Sequence, residues 1–179
     1  MLTKDSTVLV IIDMQGKLAQ LMPNRDELFR NLHNLIKGVK LFNIPIIWTE
    51  QTPDKLGPTI LEVSALLQDL TPIPKKSFSC CAEPVFMKQL SSLNRTELIL
   101  CGIETHVCVY QTAVDLIAKD YTVEVVVDAV SSRFPHNKTI GLEKIAKKGA
   151  EPTTVETVLF EIQQRVDDDT FRELIKLIK

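Results

Sequence analysis

The sequence has no concentrated positive charge, no long apolar segment and no disulfide-like cysteine pattern, and each absence removes a class of function. Across 179 residues the formal charge is -2, and no basic run is denser than Lys75-Lys76 or Lys147-Lys148. Without a stripe of lysine and arginine to neutralise phosphates, no nucleic-acid partner is expected. No stretch reaches the ~18 apolar residues of a membrane-spanning helix, so no membrane partner is expected either. The opening Met1-Leu2-Thr3-Lys4-Asp5 runs straight into a strand-like segment, without the charged and apolar regions of a secretory leader. Four cysteines stand at 80, 81, 101 and 108. Adjacent cysteines bridge poorly and Cys101 falls inside an apolar run, so a reducing, cytoplasmic setting is expected rather than a disulfide framework. There is no internal repeat and no low-complexity segment.

What is present is the composition of a single globular domain spanning 1–179, with 45% hydrophobic and 25% charged residues. Apolar, β-branched runs at Val8–Ile12, Ile44–Trp48, Leu98–Cys101 and Val123–Val127 alternate with helical patterns. Their hydrophobicity is continuous rather than alternating, the mark of strands buried on both faces. Between the first two runs Leu28, Leu32, Leu35, Ile36, Val39 and Phe42 keep helical spacing, with Asn24 and Glu27 as a candidate N-cap pair. Further helices are predicted near Glu83–Ser91, Thr105–Lys119, Asn137–Lys148 and Thr170–Lys179. This alternation predicts an α/β protein whose parallel sheet is covered on both sides. Thr49–Thr59, with Pro53, Gly57 and Pro58, reads as a functional loop or lid at the sheet edge. The apolar stripe Phe171, Leu174, Ile175 and Ile178 of the last helix reads as core or subunit contact.

Three reactive side chains follow apolar runs: Asp13 after Thr7–Ile12, Lys75 after Pro72-Ile73-Pro74, and Cys108 after Glu97–Cys101 and Gly102. In doubly wound sheets, ligands bind beyond the carboxyl ends of strands where the strand order reverses. If Leu98–Cys101 opens the second half of the sheet, Asp13 and Cys108 face each other there. Asp13 is then the base, Cys108 the nucleophile and Lys75 the electrostatic partner, with backbone N–H groups in the Glu104–Cys108 turn receiving an oxyanion. A cysteine at the positive end of a helix is expected to have a depressed pKa. Taken singly, Cys108 reads as a small buried residue, Asp13 as a turn residue and Lys75 as a surface lysine; only their joint placement suggests a site.

At these residues the chain resembles the isochorismatase-like cysteine hydrolases, which include nicotinamidases and N-carbamoylsarcosine amidohydrolase. The likeness is carried by Val10–Gln15, Thr49-Glu50-Gln51 with Leu56–Thr59, Lys75–Ser79, and Gly102–Val109 continuing through Gln111–Leu116. The Thr49 and Lys75 segments are most similar to the isochorismatase domain-containing subgroup. The resemblance implies a three-layer α/β/α fold with a six-stranded, parallel, doubly wound sheet, and the triad Asp13, Lys75 and Cys108. It favours Lys75 over Lys76, because Lys75 stands four residues before Ser79. It further implies a non-proline cis peptide between Ile103 and Glu104, with the backbone N–H groups of Glu104 and Cys108 as the oxyanion hole. Metal-dependent nicotinamidases carry histidines beside the site, whereas no histidine lies between His33 and His106 here. No metal and no other cofactor is therefore expected. Family members are usually oligomers, so a homo-oligomer is expected.

The leading expectation is hydrolysis of a small amide or related C–N bond through a thioester, with a small-molecule substrate. Gln51, Phe78 and His106 are candidate pocket residues. Trp48 reads as core, and Cys80 and Cys81 as small packing residues. Asp128, Ser131, Ser132 and Arg133 read as a pocket edge, a subunit contact or a local turn network. Two other classes compete: a redox-responsive protein in which Cys108 meets peroxide, and a non-catalytic, oligomeric binding protein. Acylation of Cys108 by substrate separates the first reading from both.

Overall fold

The computed structural model describes residues 1–178. Six parallel strands form one sheet in the order β3-β2-β1-β4-β5-β6: β1 (Thr7–Ile12), β2 (Ile46–Gln51), β3 (Ile73–Lys75), β4 (Glu97–Ile103), β5 (Thr122–Ser131) and β6 (Glu151–Thr153). Continuous hydrophobicity has the cause inferred from sequence. Leu9 and Ile11 of β1 face one core with Leu32, Leu35 and Ile36 of α2 (Arg25–Leu41), while Val8, Val10 and Ile12 face a second core. That second core receives Phe86 and Leu90 of α5 (Pro84–Ser92) and Leu116 of α6 (Tyr110–Ile117). Each such aliphatic side chain, fully buried, stabilises by about 1.5–3 kcal/mol. The expected three layers are present, with α8 (Val155–Gln163) and α9 (Asp169–Ile178) beside α2 and α7 (Pro135–Lys147) beside α6, and the short α1 (Gly16–Gln20) and α4 (Leu61–Ser64) follow β1 and β2 in the chain.

Several local expectations need correction. Asn24 precedes α2 in a left-handed conformation (φ 50°, ψ 39°), so its side chain makes no cap; its carbonyl instead accepts from the N–H groups of Glu27 and Leu28. β2 runs to Gln51 rather than stopping at Trp48, because Glu50 and Gln51 pair in register with Pro74 and Lys75. The Thr49–Thr59 segment therefore begins as strand and continues into α3 (Pro53–Leu56). It is also pinned: Gln15 Nε2 donates to the Gly57 carbonyl at 2.7 Å, and Glu50 Oε1 accepts from the Thr59 N–H and hydroxyl at 2.7 and 2.8 Å. β6 and α8 lacked a clear sequence signal. α9 packs as core, with Leu174 buried and Phe171 tilted against Phe160 at 6.5 Å. Lys179, placed at the end of that helix from sequence, lies outside the described residues.

The strand order reverses between β1 and β4, which are adjacent in the sheet but separated in sequence by β2 and β3. Their ends are drawn close at Gly102 (φ +114°), where an added Cβ would lie 2.0 Å from the Ile12 carbonyl oxygen. Only glycine fits there.

Candidate active site

Three chain segments deliver reactive groups to this reversal point. Asp13 follows β1 with φ +52°, a left-handed turn that aspartate tolerates better than most residues, and its N–H donates to the Thr49 carbonyl at 3.3 Å. Lys75 is the last residue of β3. Cys108 lies in a π-helical turn, Thr105–Val109, inserted between β4 and α6 where the sequence suggested uninterrupted α-helix. Such wide turns occur often at functional sites. The peptide bond joining Ile103 to Glu104, just before this turn, is cis.

The structure brings Asp13, Lys75 and Cys108 together. Lys75 Nζ lies 2.7 Å from Asp13 Oδ2, and the charges of both act on the Cys108 thiol beside them. Asp13 Oδ1 accepts from the Thr49 hydroxyl at 2.8 Å. All three are deeply buried, with relative exposures of 3%, 1% and 8% for Asp13, Lys75 and Cys108. Lys75 Nζ has three further acceptors: Gln51 Oε1 at 2.6 Å and the carbonyls of Ser77 and Phe78, each at 3.1 Å. An ammonium has three protons and these three bonds use them all, so Asp13 Oδ2 faces Lys75 as an ion-pair partner with no hydrogen bond of its own. Lys75 is a fixed cation rather than a proton donor.

The electrostatics overturn one expectation. Burial raises the Cys108 thiol, the Asp13 charge raises it further, and the pull of Lys75 does not compensate; the pKa is pushed up to about 12. A depressed pKa was expected because the helix end and the Lys75 ammonium would stabilise a thiolate once Asp13 had taken the proton; desolvation, the largest influence, was not counted. Burial also opposes charge on Lys75, but its charged surroundings, the Asp13 carboxylate foremost, hold the amine above its ordinary value. The resting pair is thus an ammonium beside a neutral thiol.

The other candidates fall into place less directly. The Gln51 side chain is engaged by the lysine segment: its Oε1 holds Lys75 and its Nε2 donates to the Lys76 carbonyl at 3.1 Å. Phe78 contributes its carbonyl to Lys75 while its side chain is 55% exposed. His106 is tied to the Ser132 hydroxyl at 3.0 Å and to Asn137 Nδ2 at 3.4 Å. The Glu104 side chain binds Arg133, accepting from its N–H at 3.1 Å and its Nε at 3.0 Å, and the Thr105 hydroxyl donates to the Ser131 carbonyl at 3.0 Å. The Ser131–Arg133 segment is therefore the turn network that clamps the cysteine turn to β5. From the other side α7 abuts the same turn, since a Cβ on Gly141 would lie 2.9 Å from the backbone of His106. Among the described residues no group of three or more His, Cys, Asp or Glu side chains is arranged to hold a metal ion, and no helix is long and apolar enough to cross a membrane.

Sequence reasoning missed Thr49 and Gln15 as site residues. Gln15, wholly buried, accepts from the Gln51 N–H at 2.6 Å and donates to the Gln51 and Gly57 carbonyls, locking the end of β2. The available signal was parity: Thr49 and Gln51, two apart, project from the same face of a strand whose end borders the site.

A model of the isochorismatase domain matches residues 7–157. The chain belongs to the isochorismatase family. Among its relatives is a Phytophthora sojae protein named secreted isochorismatase effector, 35% identical over 178 residues, covering 97% of this chain and 85% of the relative. A Caenorhabditis elegans structure described as MAR1 ribonuclease superposes with TM-score 0.92 at 35% identity, covering 99% of this chain and 91% of that one. An Escherichia coli protein described as an octameric hydrolase of unknown specificity shares the fold, with TM-score 0.93 at 24% identity, covering 98% and 89% of the two chains. This member of the family is a hydrolase of the isochorismatase-like type.

Proposed function

We propose that the chain is a cysteine hydrolase that cleaves a small amide or related C–N bond through a thioester. The observation that carries this reading is the buried Asp13–Lys75 ion pair whose two charges both act on the buried Cys108 thiol. With the thiol neutral at rest, free thiolate is not the attacking species. Cys108 Sγ attacks the carbonyl carbon as its proton passes to Asp13, so charge moves to the substrate oxygen in the same step. The backbone N–H groups of Glu104 and Cys108 are the proposed receivers of that oxyanion. Collapse of the tetrahedral species, with the proton returned by Asp13 to the leaving nitrogen, releases ammonia or amine and leaves the acyl group on sulfur. Asp13 then draws a proton from water, which attacks the thioester and frees the acid and the thiol. Lys75, with every proton committed, contributes a fixed positive charge beside the base throughout.

Burial of all three groups supports a small substrate over a polymer, and the net charge of -2 supports a neutral or weakly charged one over RNA. Four free cysteines, none bridged, support a reducing cytoplasmic setting, and the octameric fold relative supports a homo-oligomer. The test is a panel of small amides assayed for ammonia release, with intact-mass detection of an acyl adduct in wild type and in Cys108→Ala. Adducts confined to wild type support the reading. RNA cleavage that survives in Cys108→Ala, with no amide turned over, contradicts it.

A further inference from the structure

The proposed hydrolysis leaves one nucleophile of the site unused. Cys80 is fully buried, and its Sγ lies 3.8 Å from the Thr49 hydroxyl, which in turn is bonded to Asp13. Its backbone N–H donates to the Thr112 hydroxyl at 3.0 Å. Thr112 stands four residues beyond Cys108, roughly one turn along the same helical face, where neighbouring Cβ atoms are about 5–6 Å apart. Cys80 is therefore wedged between the residue that orients the base and the helical run that carries the nucleophile, and the two thiols share one packed cluster. The remaining cysteines are turned elsewhere. Cys81 Sγ faces the Thr112 carbonyl at 4.0 Å, and Cys101 lies in the core on the other face of the sheet.

We propose that Cys80 and Cys108 form a redox modification site, in which a hydroperoxide oxidises Cys108 and Cys80 resolves the product to an intramolecular disulfide. In the first step Cys108 Sγ attacks a peroxide oxygen, the O–O bond breaks, and Asp13 relays the thiol proton to the departing hydroxide. The products are a sulfenic acid and water. In the second, Cys80 Sγ attacks the Cys108 sulfur, the S–O bond breaks, and the Cys80 proton leaves through the Thr49 hydroxyl and Asp13 to the departing hydroxide. Overall two thiols lose two hydrogens, the peroxide is reduced to two waters, counting an alcohol for one where the hydroperoxide is organic, and a dithiol reverses the bridge. The disulfide would silence the nucleophile reversibly and shield it from irreversible oxidation to sulfinic acid. This inference rests on Cys108 being the reactive sulfur of the proposed function, and not on hydrolysis itself.

The experiment treats the whole protein with hydrogen peroxide, with and without the sulfenate trap dimedone, followed by non-reducing peptide mass spectrometry. Reduced samples are labelled in parallel with iodoacetamide. The expected result is a linked Cys80–Cys108 peptide, removed by dithiothreitol, in wild type and in Cys81→Ala. In Cys80→Ala the link is absent, dimedone capture of Cys108 rises several-fold, and sulfinic acid accumulates. Wild-type Cys108 that alkylates yet passes to dimedone adduct and sulfinate as fast as in Cys80→Ala, with no linked peptide, overturns this inference alone; so does a link made through Cys81. A Cys108 that peroxide does not oxidise and no amide of the panel acylates overturns it together with the proposed function.

Discussion

The two edges of the sheet both bury ionisable side chains, and they treat them in opposite ways. At the carboxyl edge Asp13 meets a cation at 2.7 Å and a hydroxyl at 2.8 Å, and Lys75 has every proton engaged. At the amino edge Glu124 of β5, 7% exposed, stands in register with Glu151 of β6 and near Glu161 of α8. Burial raises its pKa, the Glu161 charge adds to that, and a Thr153 contact offsets only part; the carboxyl is pushed up to about 7. One edge holds its charges in place and the other works against its own. The difference singles out the end that carries the proposed site independently of any cysteine, because buried charge persists where partners are arranged to keep it.

The comparison is broken most severely at the site itself. Cys108→Ala should abolish acylation, and Asp13→Asn should lower amide turnover by at least about 10³-fold, as expected when a nucleophile or its base is removed from a coupled unit. Substrate-dependent ammonia release and intact mass would report both. Next in size is Lys75→Met, which strands the Asp13 carboxylate without its cation. Loss of one partner from a buried pair is expected to cost about 3–5 kcal/mol, read as a lower urea midpoint with unchanged slope. Smaller is Thr49→Val, which removes one hydrogen bond to Asp13 and should cost about 1–3 kcal/mol in stability with a larger fall in turnover than in substrate affinity.

The amino edge should respond with the opposite sign. A carboxyl whose folded pKa is raised destabilises the fold wherever it must be charged in the folded state. The penalty is absent below the ordinary value of 4.5, grows as pH rises, and is complete above about 7. Glu124→Gln should therefore raise the melting temperature by a few degrees at pH 8 and leave it unchanged near pH 4. A uniform gain at both pH values would mean that packing, not charge, sets the effect.

Much of this was legible before any coordinates. Residues buried on both faces of β1, β4 and β5 have unbroken apolar runs, so the parallel sheet and its cover follow directly from periodicity. Asp13, Lys75 and Cys108 could be nominated because each follows such a run. What stayed hidden depends on contacts distant in sequence. The three-residue β6 carries too short a pattern, and the extension of β2 to Gln51 needs the pairing partners Pro74 and Lys75. The roles of Thr49, Gln15 and Gln51 appear only when β1, β2 and β3 lie side by side. The thiol's upward shift was missed for a related reason: a helix end and charged neighbours can be nominated from sequence, whereas the desolvation that dominates is a property of the packed site.

The central claim is that Asp13 takes the Cys108 proton in the act of attack and does not generate a resting thiolate. Its most direct test is the rate of Cys108 alkylation by iodoacetamide between pH 6 and 9.5 in wild type and Asp13→Asn, set beside amide turnover. Asp13 raises the thiol pKa while Lys75 lowers it, so the account predicts a wild-type rate still climbing at the top of that range. It predicts faster alkylation in Asp13→Asn despite lost turnover. A wild-type plateau below pH 8, with alkylation and turnover falling together in the variant, would contradict it.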